Sequence, residues 1–163
     1  MNVIELGRAS MDNLKSGNLI DGVTSTDLRQ IVDSRGAVLH MLRCDSPEFT
    51  RFGECYFSEV APAVVKAWKR HKEQSQNIAV PVGRIRIVIY DDRDCSVTRG
   101  NLQVIELGRP DAYIRLHIPP GLWYGFSCIS NKHALIANCV DIPHAPDESE
   151  VQSIEGSVIP YQW

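Results

Sequence analysis

The chain has 163 residues, a formal net charge of -3 and 23% charged residues, as expected for one soluble globular domain. The sequence has no cluster of basic residues that would indicate nucleic-acid binding. No segment approaches the roughly 20 consecutive apolar residues that are needed to span a membrane. The five cysteines are odd in number, widely spaced and without a Cys-x-x-Cys pair, and the N-terminus lacks a signal-peptide pattern. We therefore expect a cytoplasmic protein whose reduced cysteines pack in the core, without a zinc site or a disulfide framework.

Short β-rich runs with turn signals between them follow one another along the chain. Before them, residues 27–32 follow Ser25 and Thr26, and they are predicted as a short capped helix. The predicted strands are 38–42, 55–60, 64–71, 78–82, 84–90, 102–107, 113–118, 123–129 and 135–140. Enrichment in Val, Ile and Tyr predicts an all-β sandwich or barrel, and a double-sheet jelly roll with few short helices closes this many antiparallel strands.

We predict a single domain over residues 1–163, with distinct roles for its two ends. Residues 1–31 form an N-terminal extension that could supply a dimer-contact strand. Residues 145–163 are first acidic and then aromatic, which predicts a surface tail that packs back on the barrel.

The segment from Lys69 to Gly83 has the spacing of the first cupin motif, His-x-His, four residues, Glu, six residues, Gly. Lys69 replaces its first His and Gln76 replaces its Glu, while His71 is kept. In the second cupin motif Tyr124 replaces the usual His. One His in four positions cannot hold a transition metal, which needs three or four donors, and a lysine cation has no lone pair to give. The sequence thus resembles a cupin without metal, and no cofactor is predicted.

Strand geometry predicts which of these side chains meet. Residues two apart on a strand point to the same face, so Lys69 and His71 are predicted to project into the barrel. Trp68 and Arg70 are predicted to face outward. In a cupin the position of Tyr124 faces the same pocket. We therefore expect Lys69, His71, Gln76 and Tyr124 to converge, although they are far apart in sequence.

Six short elements follow one another from about residue 32 to the C-terminus. They are Asp33-Ser34-Arg35-Gly36, Phe52-Gly53-Glu54-Cys55-Tyr56, the run from Val65 to His71, Asp91-Asp92-Arg93, Ile118-Pro119-Pro120-Gly121 with Gly125-Phe126, and the final Trp163. Together and in this order they resemble the dTDP-4-dehydrorhamnose 3,5-epimerase-like cupins of deoxysugar biosynthesis.

The resemblance implies a metal-independent homodimer that binds a nucleoside-diphosphate 4-keto-6-deoxy sugar. In such proteins a His removes the proton α to the ketone, and a Tyr on a later strand reprotonates the other face. Carried onto this chain, Arg35 and Lys66 contact the diphosphate, which suits their charge. Glu54 and Gln76 complete the predicted substrate-binding set.

The family's acid/base pair is missing from this chain. Its catalytic His falls at Lys69, and its Tyr falls near Ala137 or Ile142, neither of which can donate a proton. The carboxylate that orients the His would come from the C-terminal stretch, where Glu155 is a loose candidate.

Two interpretations follow. In the first, the chain is an isomerase with a rebuilt catalytic set. Lys69 is the base, an electrostatic stabiliser of the enolate, or a Schiff-base former, Tyr124 is the proton donor, and His71 assists. A lysine base must lose its proton, which burial or a nearby cation favours. In the second, the chain is a catalytically silent sugar-nucleotide-binding or partner cupin. A metal-dependent dioxygenase or oxalate-type cupin is a distant third, because the metal ligands are absent.

Overall fold

The computed structural model describes a strand at residues 3–5 and the continuous stretch 20–163. Within these residues lie a 3₁₀ helix, Pro146–Glu148, and thirteen strands: β1 Val3–Glu5, β2 Thr24–Asp27, β3 Gln30–Asp33, β4 Gly36–Leu39, β5 Glu54–Val60, β6 Val65–His71, β7 Gln76–Val82, β8 Arg84–Tyr90, β9 Leu102–Gly108, β10 Ile114–Ile118, β11 Trp123–Cys128, β12 Ala134–Val140 and β13 Ser149–Val151. No helix in this part of the chain has the length and apolar character needed to cross a membrane.

Two sheets form the body of the molecule. The six-stranded sheet has the order β1-β9-β8-β11-β6-β13, the five-stranded sheet has the order β2-β10-β7-β12-β5, and β3 and β4 form a separate hairpin. The pairings are antiparallel except that of β1 with β9, which is parallel. The predicted all-β cupin jelly roll is confirmed.

The main core lies between the two sheets because alternate strand residues point inward. Ile85, Ile87 and Ile89 of β8 are fully buried against residues such as Leu116 and Ile136 of the other sheet. Each such side chain contributes about 1.5–3 kcal/mol by leaving water. This apolar packing fixes the register of the strands that carry the site.

A second cluster covers the outer face of the six-stranded sheet. Trp68 and Trp123 pack there with Ile159, Tyr161 and Trp163 of the C-terminal tail. The ring centroids of Trp68 and Trp163 lie 5.2 Å apart. The end of the chain therefore packs on β6, on the side opposite the main core.

The N-terminal region differs from its prediction. The predicted helix over 27–32 is wrong, because Thr24–Asp27 pairs with β10 and Gln30–Asp33 forms a hairpin with β4. The backbone N–H of Arg35 donates to Asp33 Oδ1 (2.8 Å), and Gly36 has a φ of 143°. This local turn competes with helix formation. Residues 1–2 and 6–19 of the predicted extension lie outside the described residues.

The cysteines also correct a prediction. Cys128 alone is buried, Cys139 is half-buried, and Cys44, Cys55 and Cys95 are exposed. The exposed thiols lie on loops or on the outer face of the edge strand β5, where no second layer covers them. Cys55 and Cys139 are directly opposite on β5 and β12, with their sulfur atoms 3.4 Å apart.

Candidate active site

A cavity of about 430 Å³ opens between the two sheets. A concave volume of this size with aromatic walls and a few polar groups is typical of a small-molecule site. It is lined by Tyr56, Ser58, Lys66, Ala67, Trp68, Lys69, Ile78, Tyr124, Phe126, Ile136, Asn138 and Val151.

Lys69 and Tyr124 lie side by side on the wall formed by the six-stranded sheet. They are directly opposite each other in the pairing of β6 with β11. Within residues 20–163 the ammonium of Lys69 has neither a hydrogen-bond acceptor nor an ion-pair partner, whereas the other lysine at the cavity, Lys66, donates to Ser58 Oγ and to the carbonyl of Glu59. Lys69 thus brings an uncompensated positive charge to the cavity.

Behind Tyr124 lies a hydrogen-bonded chain, which we call the Tyr124–His71–Glu148 chain. Nε2 of His71 is 3.2 Å from the Tyr124 hydroxyl, and Nδ1 contacts Glu148 Oε2. His71 is 3% exposed and stacks on the ring of Tyr124. The chain therefore runs from a carboxylate through an imidazole to a phenol at the cavity.

Glu148 reaches His71 because the tail adds β13 to the edge of β6. Arg70 of β6 holds β13 in place by donating to Glu150 Oε2 (2.8 Å), and it also donates to Asp92 Oδ1 (3.0 Å). The backbone N–H groups of Glu73 and Gln74 donate to the remaining oxygen of Glu148. These contacts hold the carboxylate in place before any ligand arrives.

Electrostatics fix the direction of the hydrogen bonds in the chain. Burial raises the pKa of Glu148, but the two backbone N–H groups and His71 outweigh it, so the pKa lies below its ordinary value. Burial lowers the pKa of His71 even though Glu148 opposes it. A neutral His71 then donates from Nδ1 to the carboxylate and accepts the Tyr124 hydrogen at Nε2. The phenol predicted as the proton donor therefore directs its hydrogen at His71, not at the cavity.

The opposite wall, on the five-stranded sheet, carries neutral polar groups. The Asn138 amide donates to the Tyr56 hydroxyl (2.8 Å) and to Gln76 Oε1 (2.7 Å). Gln76 in turn donates to Gln74 Oε1 (2.9 Å). Burial raises the pKa of Tyr56. This wall therefore presents a protonated phenol held by a line of amides.

The structure brings together some predicted site residues and not others. Lys66, Lys69 and Tyr124 line the cavity, with His71 and Gln76 directly behind it. Trp68 and Arg70 belong mainly to the outer side of β6, as predicted, although Trp68 also contributes to the cavity lining.

Two predicted substrate-binding residues lie elsewhere. Arg35 is on the exposed β3–β4 hairpin and ion-pairs with Asp33 (2.6 Å). Glu54 accepts a hydrogen bond from the backbone of His144 and is not among the lining residues. The carboxylate at His71 is Glu148, and the exposed Glu155 plays no such part.

Sequence reasoning missed Tyr56, Asn138 and Glu148. Glu148 is 77 residues from His71, and no motif links them, so only the docking of β13 reveals the contact. Tyr56 and Asn138 were detectable in principle. Both fall on the inward phase of strands that were predicted, and polar residues in that phase are candidates for a pocket.

The described residues contain no group of three or more His, Cys, Asp or Glu side chains that could hold a metal ion. In the described part of the chain, the ionisable groups at or directly behind the cavity are two phenols, the His71 imidazole, two lysines and the Glu148 carboxylate.

Comparison with known proteins gives the family. No protein-family model matches the chain. A crystal structure of a dTDP sugar isomerase from Desulfovibrio desulfuricans is 53% identical, with a TM-score of 0.86 over 88% of this chain and 92% of that one. A probable low-salt glycan biosynthesis epimerase of Haloferax volcanii is 36% identical over 121 residues, 73% of this chain and 77% of the relative.

A third relative extends over more of the chain. The spore coat polysaccharide biosynthesis protein SpsL of Bacillus subtilis is 28% identical over 147 residues, 89% of this chain and 97% of its own length. The fold, the ordered motifs and these relatives agree, and the chain belongs to the dTDP-4-dehydrorhamnose 3,5-epimerase-like family of cupins.

Proposed function

We propose that this protein is a metal-independent epimerase that inverts a carbon next to the ketone of a nucleoside-diphosphate 4-keto-6-deoxy sugar. The observation that carries the proposal is the convergence of Lys69 and the Tyr124–His71–Glu148 chain on one wall of the cavity. Support also comes from relatives described as a dTDP sugar isomerase and a glycan biosynthesis epimerase.

The first step is removal of a proton α to the ketone. The electron pair of the C–H bond moves onto the ketone oxygen as an enolate, and the Lys69 ammonium stabilises that charge. The proton passes either to Lys69 after it has lost its own, or to Tyr124 as the phenol hydrogen moves to His71. Glu148 stabilises the imidazolium that the second route forms.

Burial raises the pKa of Tyr124 well above its ordinary value. A free phenolate therefore does not accumulate there. If Tyr124 accepts the substrate proton, its own hydrogen must move to His71 in the same step. The 3.2 Å separation of the two groups suits this transfer.

Solvent deuterium uptake at C3 or C5 of a dTDP-linked 4-keto-6-deoxyhexose tests the proposal, because exchange requires α-proton abstraction. Lys69→Met should remove most exchange while binding persists. Lys132→Met is the matched control, since Lys132 is exposed and outside the cavity. Exchange that survives Lys69→Met would assign the base to the Tyr124–His71 pair. Binding without any exchange would favour the silent binding protein instead.

Binding of the diphosphate is proposed for Lys66 and, in a homodimer, Arg35. Lys66 lies at the cavity, while Arg35 sits on a hairpin that exposes Ile31, Val32 and Val38 to 43%, 65% and 61%. Apolar surface of this kind suits contact with a second copy. Arg35→Ala should weaken nucleotide-sugar binding roughly 10-fold to 100-fold in calorimetry. An unaffected variant or a monomer in solution would contradict this assignment.

Metal independence is proposed from the donor set, because Lys69, Gln76 and Tyr124 occupy three of the four cupin ligand positions. Elemental analysis of the purified protein should find no stoichiometric transition metal. About one Fe, Mn, Zn or Ni per chain, lost on His71→Ala, would overturn the proposal.

A further inference from the structure

We propose that Tyr56 is the catalytic acid that reprotonates the reacting carbon, from the five-stranded sheet and opposite Lys69 and Tyr124. The inference rests on the proposed epimerase function and supplies the proton donor that the Ala137 and Ile142 positions cannot provide. It also replaces Tyr124 in that role.

The first support is the position of Tyr56. Tyr56 lies on β5, directly opposite Asn138 of β12, whereas Tyr124 lies on β11, directly opposite Lys69 of β6. All four residues line the same cavity, and the two pairs come from different sheets.

In a substrate held in one orientation, inversion needs two groups that act from opposite faces of the planar enolate. A single group would return the proton to the face from which it took it. Two walls that each carry a phenol supply this arrangement. A sugar held between the sheets would present one face to each wall.

The second support is the direction of the hydrogen bonds. The backbone N–H of Asn77 donates to Asn138 Oδ1 (3.1 Å), which fixes that amide so that its NH₂ group faces Tyr56 and Gln76. The phenol oxygen of Tyr56 therefore accepts from Asn138. Its hydroxyl makes no other hydrogen bond to residues 20–163, so its hydrogen is free to point into the cavity.

The two phenols are therefore complementary. The hydrogen of Tyr124 is given to His71, whereas that of Tyr56 is available to a ligand. Burial raises the pKa of Tyr56, which keeps it protonated at neutral pH. Geometry thus assigns proton removal to one wall and proton delivery to the other.

The step balances without an oxidant or a reductant. The enolate electron pair forms a new C–H bond with the Tyr56 hydrogen, and the O–H electrons remain on the phenolate. Tyr56 regains a proton from water, and the proton taken by the opposite wall leaves to water.

Tyr56→Phe separates the two half-reactions in a reaction run in deuterated water with a dTDP-linked 4-keto-6-deoxyhexose. Inverted product should form about 10²–10⁴-fold more slowly, while deuterium still enters the substrate with retained configuration. Tyr113→Phe is the matched control, because the Tyr113 hydroxyl donates to the carbonyl of His40 away from the cavity. It should match the wild type in both readouts.

Asn138→Ala provides a second variant should Tyr56→Phe fail to fold. It keeps the phenol but removes the group that orients it, so inversion should fall about 10-fold while exchange continues.

Inversion within threefold of the wild type in Tyr56→Phe would overturn the assignment, as would inversion unchanged in Asn138→Ala. Loss of exchange and inversion together in Tyr56→Phe would also overturn it, since Tyr56 would then act before reprotonation. No exchange in the wild type would instead overturn the proposed epimerase function itself.

Discussion

Two carboxylates in this molecule, one fully buried and one partly buried, are each held by several hydrogen bonds, but only one of them connects to the cavity. Asp91, fully buried, accepts hydrogen bonds from Arg93 Nε and Nη2 (both 2.9 Å), Ser96 Oγ (2.5 Å) and Thr98 Oγ1 (2.7 Å). All of these donors come from one turn, residues 93–98. The partly buried Glu148 accepts from two backbone N–H groups and contacts His71, and this chain continues through His71 to a phenol at the cavity.

The partners of an ionisable group distinguish a structural role from a functional one. Burial raises the pKa of Asp91, yet its three side-chain partners lower it to about 2. Such a shift alone would suggest a functional site. The partners of Asp91 all lie within the same turn, which indicates that Asp91 stabilises that turn. The Tyr124–His71–Glu148 chain instead ends at a phenol in the cavity, which makes it a candidate for proton transfer to or from a ligand.

The largest expected effect is on catalysis, from Tyr124→Phe. The substitution removes the hydroxyl at the open end of the chain and should lower kcat/KM for inversion by about 10²–10⁴. The free energy of unfolding should fall by only about 1 kcal/mol, the value of one buried hydrogen bond. Steady-state kinetics and urea unfolding measure both quantities. Unchanged kinetics would remove Tyr124 from the mechanism.

The converse effect is expected from Asp91→Asn. The amide places hydrogens against the Arg93, Ser96 and Thr98 donors, which should cost about 2–4 kcal/mol of unfolding free energy. Activity per folded molecule should stay within about threefold of the wild type, because Asp91 does not line the cavity. A folded variant with a large kinetic loss would show that the turn is not merely structural.

A smaller kinetic effect is expected from Glu148→Gln. The ring of His71 loses the carboxylate that raises its pKa and that stabilises the imidazolium. Inversion should slow roughly 10-fold to 100-fold, and the acid limb of the rate profile should move to lower pH. A uniform rate loss with an unmoved acid limb would assign Glu148 to folding alone.

The smallest effect is a pH dependence of stability near neutrality. Burial and the charges of Lys69 and His144 lower the pKa of His71, opposed by Glu148. As the pH falls, His71 is therefore protonated in the unfolded chain before it is protonated in the folded protein. The free energy of unfolding should decline as the pH falls below about 6.5. A steeper loss should follow below about pH 4, where protonation of Asp91 removes roughly 2 kcal/mol. Denaturation at a series of pH values, with His71→Gln as the comparison, tests this order.

Much of the fold was predictable because strand periodicity is local. Arg84–Tyr90 was predicted with the bounds that the structure shows, since alternating Arg and Ile leave little ambiguity. The hairpin at residues 30–39 was misread in part because its two strands are short and exposed, so no buried face imposes an alternating pattern. The short strand β13 depends on pairing with β6, which no local pattern reveals.

Only those site residues that occupy positions of a sequence motif could be predicted. Lys69, His71 and Tyr124 were found because they occupy the ligand positions of a known motif. Tyr56 and Glu148 reach the same region through strand order and the docking of the tail, which are long-range properties. The contact of Tyr124 with His71 depends on both, so the sequence alone could not show that His71 competes for the Tyr124 hydrogen.

The most direct test of the central claim is solvent deuterium uptake by the wild type and two variants under one set of conditions. With a dTDP-linked 4-keto-6-deoxyhexose, a Tyr124–His71–Glu148 chain that transfers protons predicts deuterium at C3 or C5 of the sugar in the wild type. Uptake should be strongly reduced in Tyr124→Phe and retained in Asp91→Asn. A wild-type protein that binds dTDP-, CDP- or GDP-linked ketosugars without any uptake would contradict the claim.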